Sequence, residues 1–337
     1  MYLCTRYDLP RFPLEQRTRG GLRVLIMVKE PYQKRPLSIY EQVLKLKHRG
    51  MIFDDEKTAM DYLSNISYYR LRAYTYPFQD NTNPQNDHHF IRNGIHFHDI
   101  INLYRYDRQL RILVFNIMEK IEVAIRTKLT QLYSENKNDS HWFCNPDCYK
   151  NEESFQIIQK QIKEDVDRSN EDFIKHYKTK YSTPDMPPSW MTLEVVSLGT
   201  LSRLYKSLKK DKTKRAFAEQ FGINDVEIMA NWLHALSNLR NCCAHHSRIW
   251  NRRFMVQLTM PYNTIRPFIN KEYLGKIKQN KLFALLSCMK YICDIISPNN
   301  ELKTKLKQLN SQGGVLLSLR DMGFPYNWEE FPVWQKN

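Results

Sequence analysis

Glycine is scarce in this sequence, with ten residues among 337. Long stretches therefore lack the residue that most readily ends a helix or forms a tight turn. In residues 98–135 apolar side chains recur every three or four positions, which is the period of an amphipathic helix. Internal repeats and sustained strand alternation are not visible, apart from a short alternation in 254–260. The sequence predicts an all-α fold.

Long apolar runs are also missing, since none reaches the roughly 18 residues that a membrane-spanning helix needs. The first residues, MYLCTRYDLPRF, lack the apolar core of a secretory signal. The seven cysteines are odd in number and scattered, which fits reduced thiols better than a disulfide framework. We therefore expect a cytoplasmic protein without a membrane partner.

Acidic residues are outnumbered, with 36 Asp and Glu against 51 Lys and Arg and a formal net charge of +15. Such an excess favours a polyanionic partner, nucleic acid before an anionic membrane, because phosphate contacts release counterions. The basic run KSLKKDKTKR (206–215) is one candidate surface for RNA. The alternative is a basic face that meets only solvent.

Turn residues divide the chain into three parts. Residues 1–33 are punctuated by prolines and glycines with basic residues between them, which predicts an irregular basic arm. A helical domain is expected over 34–260. Residues 261–337 are expected to form a C-terminal helical extension.

Several helix boundaries can be read from local signals. Ser38 followed by Glu41 forms a capping-box pattern, and Gly50 stands where that helix would end. A second helix is expected from about residue 55 to Pro77. A later helix is expected over about 225–249.

The densest set of reactive side chains lies in NLRNCCAHHSRIW, residues 238–250. Residues 242–246 include two cysteines and two histidines, but at about 100° per residue these cannot converge on one zinc ion from one helix. A second group, His141, Cys144 and Cys148, lacks a matched second pair of ligands. We expect structural thiols, no metal and no cofactor.

A helix over 225–249 would have an apolar stripe and a separate polar edge. The stripe would hold Ile228, Trp232, Ala235, Leu239 and Cys243. The edge, within about 60° of arc, would hold Asn241, His245, Arg248 and Arg252. No carboxylate occurs in 228–253, so nothing in this segment neutralises the edge. The pattern indicates a surface that meets an anion, and the alternative is a buried helix with a solvated edge.

The same residue types suit cleavage of RNA by its own 2′-hydroxyl group. That reaction needs a base near neutrality and a cation for the charge on the phosphorane, which histidine and arginine supply without a metal. Arg240 and His245 would project about 140° apart on an ideal helix, so one helix makes an awkward pocket. A homodimer in which both copies line a shared cleft would solve this difficulty.

The segment RNCCAHHSRIWNR (240–252) resembles the R-N-x-x-x-H-H-x-R-x-W-N-R signature of the bacterial abortive-infection AbiD/AbiF family, which belongs to the HEPN superfamily. Three further blocks, 34–78, 119–129 and 187–205, are similar to that family in the same order. A glycine commonly precedes the paired tyrosines of the family, at the position where Ser67 stands here.

The resemblance implies an HEPN-type helical bundle with additional helices and the activity of a metal-independent ribonuclease. Arg240 and His245 would then be the catalytic pair. Asn241 would position them, and His246 would support either role.

Other residues of the matching blocks have two interpretations each. Glu122 and Arg126 form either an i,i+4 ion pair on the helix surface or a brace for the catalytic pair. Tyr68, Tyr69 and Arg70 either stack on and contact RNA or pack in the core. The remaining candidates for RNA binding are Arg248, Asn251 and Arg252.

The function implied by the resemblance is phage defence, in which the protein binds RNA and cleaves it. The motif is related to that of the RNA-guided effectors of type VI CRISPR systems, which makes a structured noncoding RNA a reasonable partner by analogy. Two alternatives stay open. One is a non-catalytic RNA-binding module that uses the same Arg/Asn/His edge as a phosphate clamp, and the other is the toxin of a toxin–antitoxin pair.

Overall fold

The computed structural model describes residues 31–82 and 87–335, together with the backbone of 14–17 and 23–26. Most of the predicted arm (1–33) therefore lies outside the described residues. Within it, strands β1 (Leu14–Arg17) and β2 (Arg23–Ile26) pair antiparallel, which the irregular-arm prediction did not include, whereas 31–33 have no regular structure.

The all-α prediction is confirmed by the helices that follow. These are α1 Ile39–His48, α2 Glu56–Ile66, α3 Tyr68–Thr75, α4 Phe97–Lys137, α5 Glu152–Arg168, α6 Asp172–Lys180, α7 Ser189–Val195, α8 Leu198–Ser207, α9 Lys212–Glu219, α10 Val226–Ala244, α11 Lys271–Leu274, α12 Leu282–Ile296, α13 Leu302–Ser311 and α14 Pro332–Gln335. Residues 254–260, where a short alternation suggested a strand, form an irregular segment.

Local sequence signals predicted the boundaries of the first helix correctly but not those of the second. Ser38 and Glu41 make the predicted capping box, with Ser38 N donating to Glu41 Oε2 at 2.7 Å. Gly50 follows the end of α1 at φ +93°, a conformation that costs glycine little. The single helix predicted over about 55–77 is instead two helices, because the backbone of Ser67 turns to φ +66° and its hydroxyl accepts from Arg70 N.

Helix α4, 41 residues long, is the axis of the molecule. It packs against α3, α7, α9, α10, α12 and α13. One row of its side chains, exemplified by Ile121, Ile125 and Leu129, is fully buried. Within the described residues, no helix has both the length and the apolar composition that crossing a bilayer requires.

The C-terminal part of the chain shares this core. Helix α12 packs on both α4 and α10, and α14 packs on α12. Trp334 is fully buried and donates from Nε1 to Ser287 Oγ at 2.9 Å. The residues after 261 therefore complete the packing around the axis on the side of α10.

A buried carboxylate on α4 fixes the segment that follows α10. Asp107 is 0% exposed. Its Oδ1 accepts from the backbone N–H groups of Ile249 at 3.1 Å and Trp250 at 2.6 Å. Its Oδ2 accepts from the Tyr74 hydroxyl at 2.6 Å and from the Arg111 guanidinium.

This network joins three separate parts of the chain. Tyr74 lies on α3, Asp107 and Arg111 lie on α4, and Trp250 stacks on Tyr74 with ring centroids 6.3 Å apart. Burial raises the pKa of Tyr74, and the neighbouring charge of Asp107 raises it further, so its hydroxyl stays protonated and donates. The path of the chain after α10 is thereby set by α4 and α3.

Replacing Asp107 by alanine is expected to lower the free energy of unfolding by about 3–5 kcal/mol, because it leaves a buried guanidinium unpaired and two buried N–H groups without acceptors. Urea denaturation at neutral pH measures this loss. Lys120→Ala, at an exposed position on the same helix, is the control and should change stability by less than about 0.5 kcal/mol. A loss below about 1 kcal/mol for Asp107→Ala would contradict the assigned role.

Candidate functional site

The helix that carries the reactive residues ends earlier than predicted, at Ala244. The Ser247 N–H donates to Cys242 O at 2.8 Å and the His246 N–H to Cys243 O at 3.0 Å, which together make a Schellman cap. His246 occupies the left-handed position of that cap at φ +54°, where glycine is usual.

This early end corrects the predicted polar edge. Asn241 still lies on α10 and His245 caps it, but Arg248 and Arg252 follow the turn and do not share a helix face with them. The reason is the Schellman cap, after which the Asp107 carboxylate holds the chain in its new direction. Asn241, His245 and His246 are all exposed at this helix end.

Arg240 is held by an acidic residue on the neighbouring helix. Its Nε lies 3.4 Å from Glu122 Oε2, an ion-pair distance without hydrogen-bond geometry, and its side chain is 33% exposed. The other oxygen of Glu122 accepts from Arg126 Nη2 at 3.2 Å. One carboxylate, 14% exposed, therefore bridges two guanidinium groups.

Arg126 in turn closes the end of α7. Its Nε donates to Leu193 O at 2.6 Å and its Nη2 to Val196 O at 2.9 Å. A cation suits this place because the carbonyl groups at a helix end carry partial negative charge. Sequence analysis left two interpretations of Glu122 and Arg126 open. The structure contains the i,i+4 ion pair, and Glu122 also contacts Arg240.

An open cleft of about 800 Å³ includes Glu122, Arg126 and Arg240 in its lining. Its charged lining residues are the carboxylates Glu122, Asp165, Glu171 and Glu194 and the guanidinium groups of Arg126, Arg168 and Arg240. Negative groups thus slightly outnumber positive ones here, although the whole chain is strongly basic. His245 lies outside the set of lining residues, at the exposed end of α10.

The predicted RNA-binding arginines have internal partners. Arg70 donates from Nη2 to His246 O, and Arg248 donates to Ala73 O while its guanidinium lies 5.7 Å from the Trp250 ring centroid. Arg252 donates to Arg248 O at 3.2 Å. Arg70 and Arg248 thereby connect α3 to the turn that carries His246 and to the segment after it.

The other predicted RNA-binding residues divide into packed and exposed groups. Asn251 accepts from Lys281 Nζ at 2.9 Å. Tyr68 is half-buried and its hydroxyl accepts from Arg49 at 2.6 Å, and burial raises the pKa of that hydroxyl. Tyr69 is 59% exposed and presents its ring to solvent. Only one tyrosine of the predicted pair is thus available for stacking.

Part of the basic run 206–215 is also structural. Lys214 is 2% exposed and donates from Nζ to Leu208 O at 2.8 Å. Burial lowers the pKa of Lys214 to about 8. Asp211 pairs with Lys137 at 2.8 Å. The run therefore offers fewer free cations than its sequence suggests.

Neither group of candidate zinc ligands converges among the described residues. Cys243 is buried in the core, and burial raises the pKa of its thiol to about 12. His141 is engaged by Ser140 Oγ at 2.9 Å and by Met186 O at 3.1 Å. The expected structural role of the thiols is consistent with this burial.

Sequence reasoning did not single out Asp107, Arg111 or Tyr74. The available signal was a charged pair at i and i+4 on the row of α4 that otherwise carries Leu110, Val114 and other buried apolar residues. Charged residues on a buried row are rarely tolerated unless they are paired. Their partners, at residues 74 and 249–250, are too distant in sequence for any local pattern to reveal.

Comparisons with known proteins find one family. A family model described as Abi-like protein matches residues 61–251, more than half of the chain. The matched part contains α3, Asp107, the Glu122–Arg126 pair and the whole of α10. No curated protein and no solved structure matches.

Replacing His246 by glycine is expected to raise the free energy of unfolding by about 0.5–1 kcal/mol. Relief of the left-handed conformation, about 1–2 kcal/mol, exceeds the extra chain entropy of glycine, about 0.5–1 kcal/mol. His245→Gly, at φ −88°, is the matched control and should lower stability, because nothing is relieved there. Chemical denaturation of both variants measures the difference, and a destabilised His246→Gly variant would count against this account of the turn.

Proposed function

The chain belongs to the Abi-like protein family, an abortive-infection family, and we propose that it is a phage-defence ribonuclease that cleaves RNA without a metal ion. The proposal includes an RNA partner, for which a structured noncoding RNA is the candidate. Its main support is the placement of Arg240: the guanidinium is paired with a carboxylate, remains a third exposed, and lines a cleft five residues before exposed His245.

The proposed reaction uses the chemistry of these side chains. His245 removes the proton from the 2′-hydroxyl group, the 2′-oxygen attacks the adjacent phosphorus, and the bond to the 5′-oxygen breaks as that oxygen takes up the proton from the imidazolium. Arg240 stabilises the negative charge that develops on the phosphorane. Asn241, exposed next to Arg240, supplies an amide donor that positions the phosphate. The product is a 2′,3′-cyclic phosphate, and no step needs a divalent ion.

Glu122 and Arg126 act through Arg240. A guanidinium without a fixed partner samples many rotamers, and the carboxylate of Glu122 restricts this freedom. Glu122 is itself held by Arg126, and Arg126 is held by the carbonyl groups at the end of α7. The position of Arg240 therefore depends, through these two side chains, on the end of α7. His246 is a supporting residue, since its main-chain conformation sets the turn beside His245.

A second copy of the chain would complete the site. Ile112, Phe115 and Val123 on α4 are 49%, 42% and 54% exposed. On an ideal helix they fall within about 80° of arc, on the side that also carries Glu122 and Arg126. We propose that two copies meet along this apolar stripe, which would bring the exposed ends of their α10 helices toward one cleft.

The alternative function is a phosphate clamp that binds RNA and does not cleave it. The internal bonds of Arg248 and Arg252 favour the catalytic proposal, because a clamp would present its guanidinium groups to the ligand. A toxin held inactive by an antitoxin would use the same catalytic residues and would differ in its partner.

His245→Ala is expected to lower the rate of RNA cleavage by about 10²–10⁴-fold with little change in RNA affinity, because it removes proton transfer and no ground-state contact. Arg240→Ala should have a similar effect, and the double variant should lose much less than the product of the two losses. Cleavage in EDTA and RNA binding by filter retention, on the same preparations, measure both quantities.

The matched control is His234→Ala, an exposed histidine on the same helix, which should cleave normally. A clamp predicts a different pattern, in which each variant weakens binding by about 1–3 kcal/mol and the wild type does not cleave. Cleavage that is abolished by EDTA and restored by Mg²⁺ would overturn the mechanism.

Phe115→Glu is expected to convert a dimer into monomers and to abolish cleavage, because it places a charge in an apolar interface. Sedimentation equilibrium and cleavage rates measure the two effects. Ile157→Glu, at an apolar side chain that is 51% exposed on α5, is the control and should change neither. A wild-type chain that cleaves as a monomer would refute the shared site.

A further inference from the structure

A cluster of metal-ligand side chains lies far from the cleft, at the N-terminus of α4. Asp54 Oδ1 is 2.9 Å from His96 Nδ1, and Asp54 Oδ2 is 2.7 Å from His98 Nδ1. One nitrogen of each ring and one carboxylate oxygen of Asp54 lie within 4.8 Å of one another. The two imidazole rings approach to 5.2 Å between centroids.

The main chain holds these residues in place. Ile52 and His96 form a parallel bridge, in which Ile52 N donates to Ile95 O at 3.0 Å and Phe97 N donates to Ile52 O at 2.8 Å. His96 is the N-cap of α4 and His98 lies in its first turn. The three side chains therefore project from two backbone segments of fixed separation, whereas surface histidines that meet by chance have no such support.

A second carboxylate, that of Asp99, lies beside one of the rings. Asp99 Oδ1 is 3.2 Å from His98 Nε2, and Asp99 Oδ2 accepts from His96 N at the start of the helix. A metal-bound histidine usually donates its other ring N–H to a carboxylate, which fixes the tautomer and leaves the first nitrogen for the ion. His98 has a carboxylate near each ring nitrogen, with Nδ1 hydrogen-bonded to Asp54 and Nε2 at an ion-pair distance from Asp99.

We propose that Asp54, His96 and His98 bind one divalent first-row transition ion, represented by zinc, with water in the remaining position. Two imidazole nitrogens and one carboxylate oxygen are ligands that zinc, copper and nickel share. The carboxylates of Asp54 and Asp99 offset the positive charge of the ion beside the positive end of the α4 dipole.

The size of the site fits such an ion after a small movement. Bond lengths of about 2.0–2.1 Å place neighbouring ligand atoms of a tetrahedral ion about 3.3 Å apart. The hydrogen-bonded nitrogen–oxygen distances of 2.7 and 2.9 Å must therefore open by roughly half an ångström. Asp54 and His98 are 57% and 58% exposed, so their side chains can rotate without disturbing the core.

The ion would connect two parts of the fold. Asp54 lies just before the N-cap of α2, whereas His96 and His98 lie at the start of α4, so one ion would connect the N-terminal helices to α4. The site is independent of the proposed cleavage and shares no residue with it. Sequence analysis expected no metal from the cysteine and histidine segments that it considered. It did not consider Asp54 and His96, which are 42 positions apart and meet only in the folded chain.

The test uses untagged full-length protein, freed of metal with a chelator and titrated with zinc in competition with a fluorescent chelator. The wild type should bind one zinc ion per chain and unfold at a higher temperature with zinc than without it. The double variant His96→Ala/His98→Ala should bind at least about a hundredfold more weakly, and Asp99→Asn about 10–100-fold more weakly.

His176→Ala, at an exposed histidine on α6, is the matched control and should bind zinc as the wild type does. Asp54→Asn is a second ligand variant that keeps the side-chain shape, and circular dichroism verifies that each variant is folded. A wild type that does not bind zinc would overturn the proposal, as would equally tight binding by the double variant.

Discussion

The arrangement of the site depends on one buried carboxylate, that of Asp107. Taking a carboxylate out of water costs several kcal/mol unless donors surround it. Here the donors are Tyr74 on α3, Arg111 on α4 and two backbone N–H groups beyond α10. The cost of burying this carboxylate is offset only when all three parts of the chain supply their donors. Folding therefore favours the arrangement in which the three parts are in these positions. Helix α10 can then end at Ala244 and still present His245 in a defined place.

The net charge of the whole chain and the charge of the cleft have opposite signs in this protein. The whole chain carries a formal +15, yet the cleft next to Arg240 is lined by four carboxylates and three guanidinium groups. Arg70, Arg248 and Arg252 bond internally, and Lys214 is buried. The charge of the whole chain favours a polyanion at the surface, while the four carboxylates make the cleft itself less favourable for phosphate groups. This contrast concentrates the proposed chemistry at the exposed end of α10.

The sequence was sufficient where the decisive interactions are local. The capping box of Ser38 and Glu41, the turn at Gly50 and the long helix α4 all follow from residues within one or two turns of each other. It failed where a non-glycine residue takes a positive φ. Ser67 splits a predicted helix and His246 ends another, and neither residue is a usual signal for that conformation.

Sequence patterns also did not predict contacts between residues that are distant along the chain. Asp107 meets Trp250 across 143 positions, and a periodic pattern contains no information on such a pair. The Arg240–Glu122 contact was anticipated as one of two interpretations, because a resemblance to related proteins carries information on distant pairs that periodicity does not. The hydrogen bond from Arg70 on α3 to the carbonyl group of His246 also joins distant positions, and only the structure shows it.

Helix α4 is a rigid rod of about 60 Å, from its 41 residues at 1.5 Å each. Along it lie, in order, His96 and His98, then Asp107, then Glu122. The helices that pack against it hold this rod along most of its length. The N-terminal helices, the buried carboxylate and the mount of Arg240 therefore take their spacing from a single helix.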